Sequence, residues 1–240
     1  MAPFPILYIN LDKDVERRQR MQAQFNHLQL AAQRLPAVWW PDLAREEQNQ
    51  YYSETLNQTQ YFKALANGEK GCYCSHIKAW QALLDSAAPA MAIFEDDVKL
   101  LPDIIPALEA LAQRTTGWDM IKLYSRDQEK ICNKFPLFTT HSLITYQRIP
   151  SFAAGYVITR AGAQKLLASR LPFGRPVDVD FRFWFENDLR VAGVYPSVMA
   201  LDDTSEVSSI WEQRDRLTLS QRRRKLLMKL RLTLGNALHR

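Results

Sequence analysis

Met91-Ala92-Ile93-Phe94 runs without a break into Glu95-Asp96-Asp97. Four apolar residues closed by charge read as a short buried strand, and the acids then stand at its carboxyl end. Upstream, Gly71 precedes a helix expected to reach about Ser86, with Ile77, Trp80, Leu83 and Leu84 at helical spacing. Downstream, Pro102 and Pro106 open a second helix that ends near Gly117, and Asp119-Met120-Ile121-Lys122-Leu123-Tyr124 reads as another strand. Further out, residues 5–10 form a buried strand followed by a charged helix over 14–30, with Val15, Met21, Phe25 and Leu28 turned inward. Residues 36–68, with breakers Pro36 and Pro41, predict loops and short helices, and 125–151 read as irregular or hairpin-like. A fourth strand over 152–159, a helix over 160–170, an aromatic helix over 181–189 and a strand over 193–198 complete the pattern. Strands alternating with helices predict an α/β sheet with helices on its faces. Ligands of such sheets gather at strand carboxyl ends, where residues 95–97 lie.

The 240 residues, 47% apolar and 24% charged, suffice for one large domain with an appendage. Eight glycines and twelve prolines exclude collagen-like or low-complexity organisation. No apolar run approaches the ~18–20 residues that cross a bilayer. The opening MAPFPILYIN lacks the pattern of a secretory signal. The three cysteines cannot all pair, and Cys72-x-Cys74 with Cys132 fits no common zinc spacing, so a reduced cytoplasmic setting is expected. The net charge of +5 is unevenly placed. Residues 213–240 carry nine Lys/Arg against Asp215 alone, which leaves a mildly acidic body over 1–212. That division predicts a folded domain over 1–212 and a basic helical tail over 213–240. It also argues against nucleic acid as a partner, which would call for positive charge on the body.

Residues i and i+2 at a strand end point the same way, so Glu95 and Asp97 can share one divalent cation. Asp96 is then left to face a hydroxyl-bearing ligand. Three adjacent carboxylates repel one another, and a hard cation such as Mn²⁺ or Mg²⁺ relieves that repulsion. The plain alternative is a solvated acidic loop.

Gly68-Glu69-Lys70-Gly71-Cys72-Tyr73-Cys74-Ser75-His76, followed by Ala92-Ile93-Phe94-Glu95-Asp96-Asp97, resembles the signature of glycosyltransferase family 25. Ile9-Asn10-Leu11-Asp12 with Arg17-Arg18, Trp118-Asp119, Ala154-Gly155-Tyr156, Gly162-Ala163 and Pro176-Val177-Asp178 resemble further family segments in the same order. The similarity spans roughly 5–210; Cys74 and Lys70 depart from the usual residues without touching the acidic triplet. The resemblance implies a GT-A fold, a nucleotide-sugar donor (typically UDP-galactose) and inversion at the anomeric carbon. Mn²⁺ held by Glu95 and Asp97 would then neutralise the departing UDP. Inversion also needs a base opposite UDP. Asp178 and Asp180 are the candidates, and Asp178 occupies the matching family position. Either could instead cap the helix that follows.

Asn10, Arg17 and Arg18 suit the uracil or ribose of a donor. Glu69 and His76 sit inside the signature, and a structural role is the simpler reading of His76. Lys122 can meet a phosphate or snorkel to solvent. Trp39, Trp40, Tyr51, Tyr52, Tyr61 and Phe62 read chiefly as packing under a long loop. Asp203, near Asp202 and Ser208-Ser209-Ile210, is a further candidate for a metal shell. In the tail, Leu219, Leu226, Leu227, Leu230, Leu234 and Leu238 fall within about a third of a helical circle, with Arg223 intruding. Such a helix suits an anionic membrane surface, or else docks on the body or on a second subunit. A lipid-linked oligosaccharide acceptor would place the protein on the cytoplasmic face of the inner membrane. Rival readings are a related transferase using UDP-glucose or UDP-N-acetylhexosamine, and a non-catalytic membrane-binding scaffold on a decayed transferase body. A metal phosphohydrolase fits less well, because the four histidines show no ligand spacing.

Overall fold

Every residue of Ile6-Leu7-Tyr8-Ile9-Asn10 is buried, and this strand (β1) seeds a layered α/β architecture. A computed structural model describes residues 3–114, 116–125, 129–202 and 217–239. After β1 (Ile6–Asn10) come α1 (Val15–His27), β2 (Gln33–Pro36), α2 (Arg45–Tyr51), α3 (Glu54–Gln60) and α4 (Asn67–Asp85). Next are β3 (Ala90–Glu95), β4 (Val98–Leu100), α5 (Ile104–Ala112), β5 (Met120–Lys122), β6 (Ile131–Phe138) and β7 (His141–Tyr146). The chain continues through β8 (Gly155–Thr159), α6 (Arg160–Ser169), α7 (Val177–Asp180), β9 (Val191–Tyr195), β10 (Met199–Leu201) and α8 (Leu219–Leu238).

Eight strands form one sheet in the order β2-β1-β3-β8-β5-β9-β7-β6, and β4 pairs with β10 in a separate ribbon. β1 runs parallel to both β2 and β3, and β5 parallel to β9. β8 is antiparallel to β3 and β5 on its two sides. A core lies on each face of this sheet. One packs Met21 and Phe25 of α1 and Leu108 of α5 against Phe94, and the other packs Trp80 of α4 and Leu166 of α6 against Ile93 and Ile158. The alternating apolar side chains of β3 therefore feed both layers. This is the expected α/β class, a GT-A-like sheet flanked by helices and followed by a C-terminal helix.

All five strands read from the sequence are present, with shifted ends. The fourth begins at Gly155 rather than at 152, and the last covers Val191–Tyr195. In α1, Met21 and Phe25 are buried, whereas Val15 is exposed. The aromatic segment after α7 is a 3-10 turn over Phe181–Glu186, with its regularity broken at Phe183. The 125–151 region resolves into the β6–β7 hairpin, whose exposed edge strand tolerates Pro136 because no neighbour needs its missing N–H.

Helix α5 ends at Ala112, five residues short of Gly117, and α4 starts at Asn67, five residues before the sequence expectation. Glu69 folds back so that its carboxylate accepts the Ala66 N–H at 2.8 Å, closing the first turn and drawing Gly68 and Gly71 into the helix. Gly71 is needed there for proximity: a Cβ at this position would collide with the Val38 carbonyl. Ser75, one turn on, accepts the Val38 N–H at 2.8 Å and donates to the Gly71 carbonyl at 2.7 Å. Gly71→Ala should therefore lose about 1–3 kcal/mol through overpacking, net of the roughly 1 kcal/mol that alanine gains in a helix. Urea unfolding measures this, and a stabilised variant would contradict the close approach.

Candidate functional site

The sheet brings the ends of β1 and β3 side by side, with Ile9 opposite Glu95. Past Glu95 the chain bends through Asp96 and Asp97 into β4, and the Asp202 N–H bonds the Asp97 carbonyl at 2.9 Å. The three carboxylates meet three different environments. Asp96 is already engaged: Asn10 Nδ2 donates to its Oδ2 at 2.6 Å and Arg17 Nη1 to its Oδ1 at 3.2 Å. Burial pushes the Asp96 carboxyl up, while Asn10 and Arg17 pull it back down. Arg34 Nε donates to Asn10 Oδ1 at 2.9 Å, which fixes which way the Asn10 amide faces. Asp96 is thus tied inward rather than left to face a ligand.

Asp97 is the opposite case. Its Oδ1 is buried and has no hydrogen-bond partner among the described residues. Burial, and after it the charge of Glu95, pushes its carboxyl up to about 7. An orphaned, buried carboxylate oxygen beside a second carboxylate is a donor set that a hard divalent cation completes.

Glu95 is oriented through its Oε1, which takes His76 Nε2 at 3.1 Å and the Cys72 thiol at 3.7 Å. Trp80 Nε1 donates to the Tyr156 hydroxyl at 2.9 Å, and that hydroxyl lies 2.8 Å from His76 Nδ1. Held there, the His76 ring presents Nε2 to Glu95, and the tautomer with the proton on Nε2 donates to the carboxylate. Oε2 of Glu95 remains available for a ligand among the described contacts. Cys72, His76 and Glu95 lie close enough to bind one ion as a soft-metal cluster. Without an ion, burial and then the Glu95 charge hold the Cys72 thiol well above its ordinary value, and it donates to Glu95. The orphaned Asp97 oxygen makes Glu95 and Asp97 the pair that could hold a hard cation, with Cys72 and His76 steering Glu95.

The signature segment owes its spacing to α4. Cys72 and His76, one turn apart, face Glu95, and Trp80, a further turn on, supports them through Tyr156. Tyr73 points elsewhere, its hydroxyl donating to Asp180 Oδ2 at 2.7 Å. Sequence reading missed Cys72, Trp80 and Tyr156 as supports of the triplet, although the i, i+4, i+8 pattern at 72, 76 and 80 carried the signal.

Two cavities meet at Glu95 and Cys72. The first, about 110 Å³, is lined by Asn10, Arg17, Trp39, Asp96 and Asp97 as well as these two. The second, about 280 Å³, adds Tyr61, Glu69, Phe152 and Asp178. Asn10, Arg17, Glu95, Asp96 and Asp97 are therefore gathered at one place, and Asp178 lines the second cavity, which shares Glu95 and Cys72 with the first. Arg18 lines neither cavity, since it sits about 100° around α1 from Arg17. Asp203 and Ser208-Ser209-Ile210 lie outside the described residues. Asp202 pairs with Arg20 at 3.2 Å.

Asp178 and Asp180 divide sharply. Asp180 is buried and accepts from Arg175 Nε at 2.6 Å as well as from Tyr73, and Arg175 also reaches Glu186 at 2.6 Å. That network leaves Asp180 structural. Asp178 does not hold the cap position of α7, which is Pro176, and its carboxylate takes a long 3.4 Å bond from the Phe152 N–H and a further backbone bond from Val179. Burial raises its carboxyl, opposed chiefly by the charge of Lys122. Lys122 itself is buried from solvent and lines neither of these two cavities. Its ammonium donates to the Pro150 and Phe152 carbonyls at 2.8 and 2.6 Å, and burial lowers it to about 8.

The family model described as "Glycosyltransferase family 25 (LPS biosynthesis protein)" matches residues 4–181, a span that contains every residue of both cavities. The chain belongs to glycosyltransferase family 25. Among similar family 25 proteins, a Drosophila melanogaster glycosyltransferase 25 family member is 27% identical over 182 residues, covering 73% of this chain and 29% of the fly protein. The Xenopus laevis procollagen galactosyltransferase 1-A is 26% identical over 195 residues, 73% of this chain and 30% of the frog protein. The chain thus spans about three-tenths of these animal relatives. A Haemophilus influenzae protein, whose name assigns it provisionally to the glycosyltransferases, is 28% identical over 242 residues, 95% of this chain and 82% of that one.

The two aspartates of α7 should separate in a stability assay. Asp180→Ala leaves the buried Arg175 Nε and Tyr73 hydroxyl without their partner and should cost about 3–5 kcal/mol, whereas Asp178→Asn should stay within about 1 kcal/mol of wild type; similar losses would contradict the division. Asp97 gives a pH test. Its folded-state carboxyl titrates above the ordinary carboxylate value, so stability in chelator falls as pH rises from about 4 to about 7. Asp97→Asn cannot ionise and should flatten that fall by at least ~1 kcal/mol between pH 5 and pH 8. An unchanged slope would place the carboxylate in water.

Proposed function

We propose that this family 25 protein is a metal-dependent, inverting glycosyltransferase that moves a hexose, galactose from UDP-galactose, onto a lipid-linked saccharide. The observation that carries this reading is the pairing of Glu95 with the orphaned Oδ1 of Asp97 at the seam of two cavities. A divalent cation held by Glu95 and Asp97 would supply charge neutralisation for a nucleoside diphosphate as it leaves.

The chain's own residues account for the rest. Arg17, braced through Asp96, offers a guanidinium to the nucleotide side of the first cavity, and Asn10, whose amide engages Asp96, the Asp14 carbonyl and Arg34, holds that wall in place. Trp39 lines the same cavity and offers an aromatic face for a base. In the second cavity Tyr61 and Phe152 suit the apolar face of a sugar, and Asp178 accepts the proton of the attacking hydroxyl. Burial makes Asp178 a stronger proton acceptor than an exposed carboxylate. Donor and acceptor would occupy separate cavities that share Glu95 and Cys72, which is compatible with attack on the face of the anomeric carbon opposite the leaving nucleotide.

Galactose is supported by the name of the frog relative, and a lipid-linked acceptor by the family description. UDP-glucose and UDP-N-acetylhexosamine remain the rival donors, because epimers differ only in the direction of one hydroxyl.

A panel of UDP-sugars with Mn²⁺, with and without chelator, tests the reading through UDP release. Release from UDP-galactose that chelator abolishes is expected, and no release from any nucleotide sugar, even with an acceptor extract, would overturn it in favour of a scaffold. Asp178→Asn should lower kcat by about 10²-fold or more with donor affinity unchanged; full turnover would remove Asp178 as the base.

A further inference from the structure

Helix α8 is docked on the body, yet it is docked with its leucines outward. Its inward side is formed by Met228, Leu232, Gly235 and Asn236. Trp184 Nε1 donates to Asn236 Oδ1 at 3.1 Å, Gly235 lies against the Phe185 ring, and Arg231 pairs with Glu186 at 3.0 Å. The opposite side carries Leu219, Leu226, Leu227, Leu230, Leu234 and Leu238, each between 49% and 84% exposed. These six are the majority of the eight large apolar side chains that stand exposed among the described residues. Apolar burial would favour turning those leucines onto the body, so the helix forgoes stabilisation by presenting them to the outside. Docking on the body and an outward apolar face, alternatives in the sequence, coexist here.

The charges around that face identify its occupant. Arg222, Arg223 and Lys229 are exposed beside the leucines, and α8 carries no acid. A protein partner would be expected to interleave acidic and basic groups, whereas leucines set among cations alone complement an anionic lipid headgroup layer over hydrocarbon. No described helix is long and apolar enough to cross a membrane, so the contact would be interfacial. We infer that α8 is a fixed membrane-contact platform, adsorbing to anionic bilayers through its outward leucine row while its inner side holds the domain.

The platform also bears on the second cavity. Lys225 Nζ sits 4.9 Å over the Phe62 ring, Phe62 packs on Tyr61 at 4.5 Å, and Tyr61 lines the cavity of Asp178. The inward side of α8 therefore reaches the wall of the cavity assigned to the acceptor, while the leucine row faces away from the body. The link to that cavity rests on the transferase reading; adsorption itself does not.

Flotation of the full chain with vesicles tests the platform. Wild type should float with phosphatidylglycerol vesicles, much less with phosphatidylcholine alone, and less again at high salt. Leu226→Ser/Leu230→Ser/Leu234→Ser should lose about tenfold or more of this partitioning with an unchanged Tm, because the three side chains are already exposed. Equal flotation of variant and wild type, or none of wild type on the anionic vesicles, would overturn the proposal. So would a lipid-free dimer, seen by sedimentation and abolished in the triple variant, which would make a second copy the occupant. UDP release with a soluble acceptor should be unaffected by the triple substitution, so loss of flotation and failure of the transferase reading are told apart.

Discussion

Two carboxylates forced together at the end of a buried strand set the terms for the rest of this molecule. β3 can deliver Glu95 and Asp97 to one spot only because the third acid, Asp96, is drawn aside and compensated by Asn10 and Arg17. What remains is a pair with one oxygen oriented by donors and another buried with none. Such a pair destabilises the metal-free fold, and it persists here in a cleft, where a cation can offset the repulsion. The site is thus paid for elsewhere in the structure, by cores on both faces of the sheet and by the ion network around Arg175.

Helix α4 acts as the ruler of the site. Its first turn is closed by Glu69, its close approach at Gly71 fixes it against the Val38 backbone beyond β2, and its successive turns deliver Cys72, His76 and Trp80 to the acidic end of β3. The same helix reaches α7 through Tyr73 and so connects both cavities to one rigid element. In α7 itself, two residues' separation turns Asp178 and Asp180 about 200° apart. One faces the cavity and the other is locked among arginines, which is why two similar acids in one short segment take different roles.

Much of the architecture was legible because β1, β3, β5, β8 and β9 are short apolar runs whose burial dictates their type. β2 and β6 were not, since Gln33-Arg34-Leu35-Pro36 and the exposed, proline-containing β6 are edge strands held by backbone pairing rather than by an apolar pattern. Pointing toward the site, the sequence showed the triplet, Asn10, Arg17 and Asp178, which are gathered in space. It did not show the tethering of Asp96, which depends on Asn10 and Arg17 arriving from β1 and α1. Nor did it show that Arg18 faces away, or that Asp180 is neutralised by Arg175. Each of these depends on long-range placement. The leucine row of α8 was visible as a periodicity, but which side of the helix meets the body is settled by Trp184, Glu186 and Asn236.

Titration of Mn²⁺ into the protein, followed by the loss of the free-ion paramagnetic signal, tests the central claim most directly. The account predicts one bound ion per chain, affinity reduced at least about tenfold by Asp97→Asn, and little change in Asp96→Asn. Equal Mn²⁺ affinity in wild type and Asp97→Asn, or a loss confined to Asp96→Asn, would contradict it.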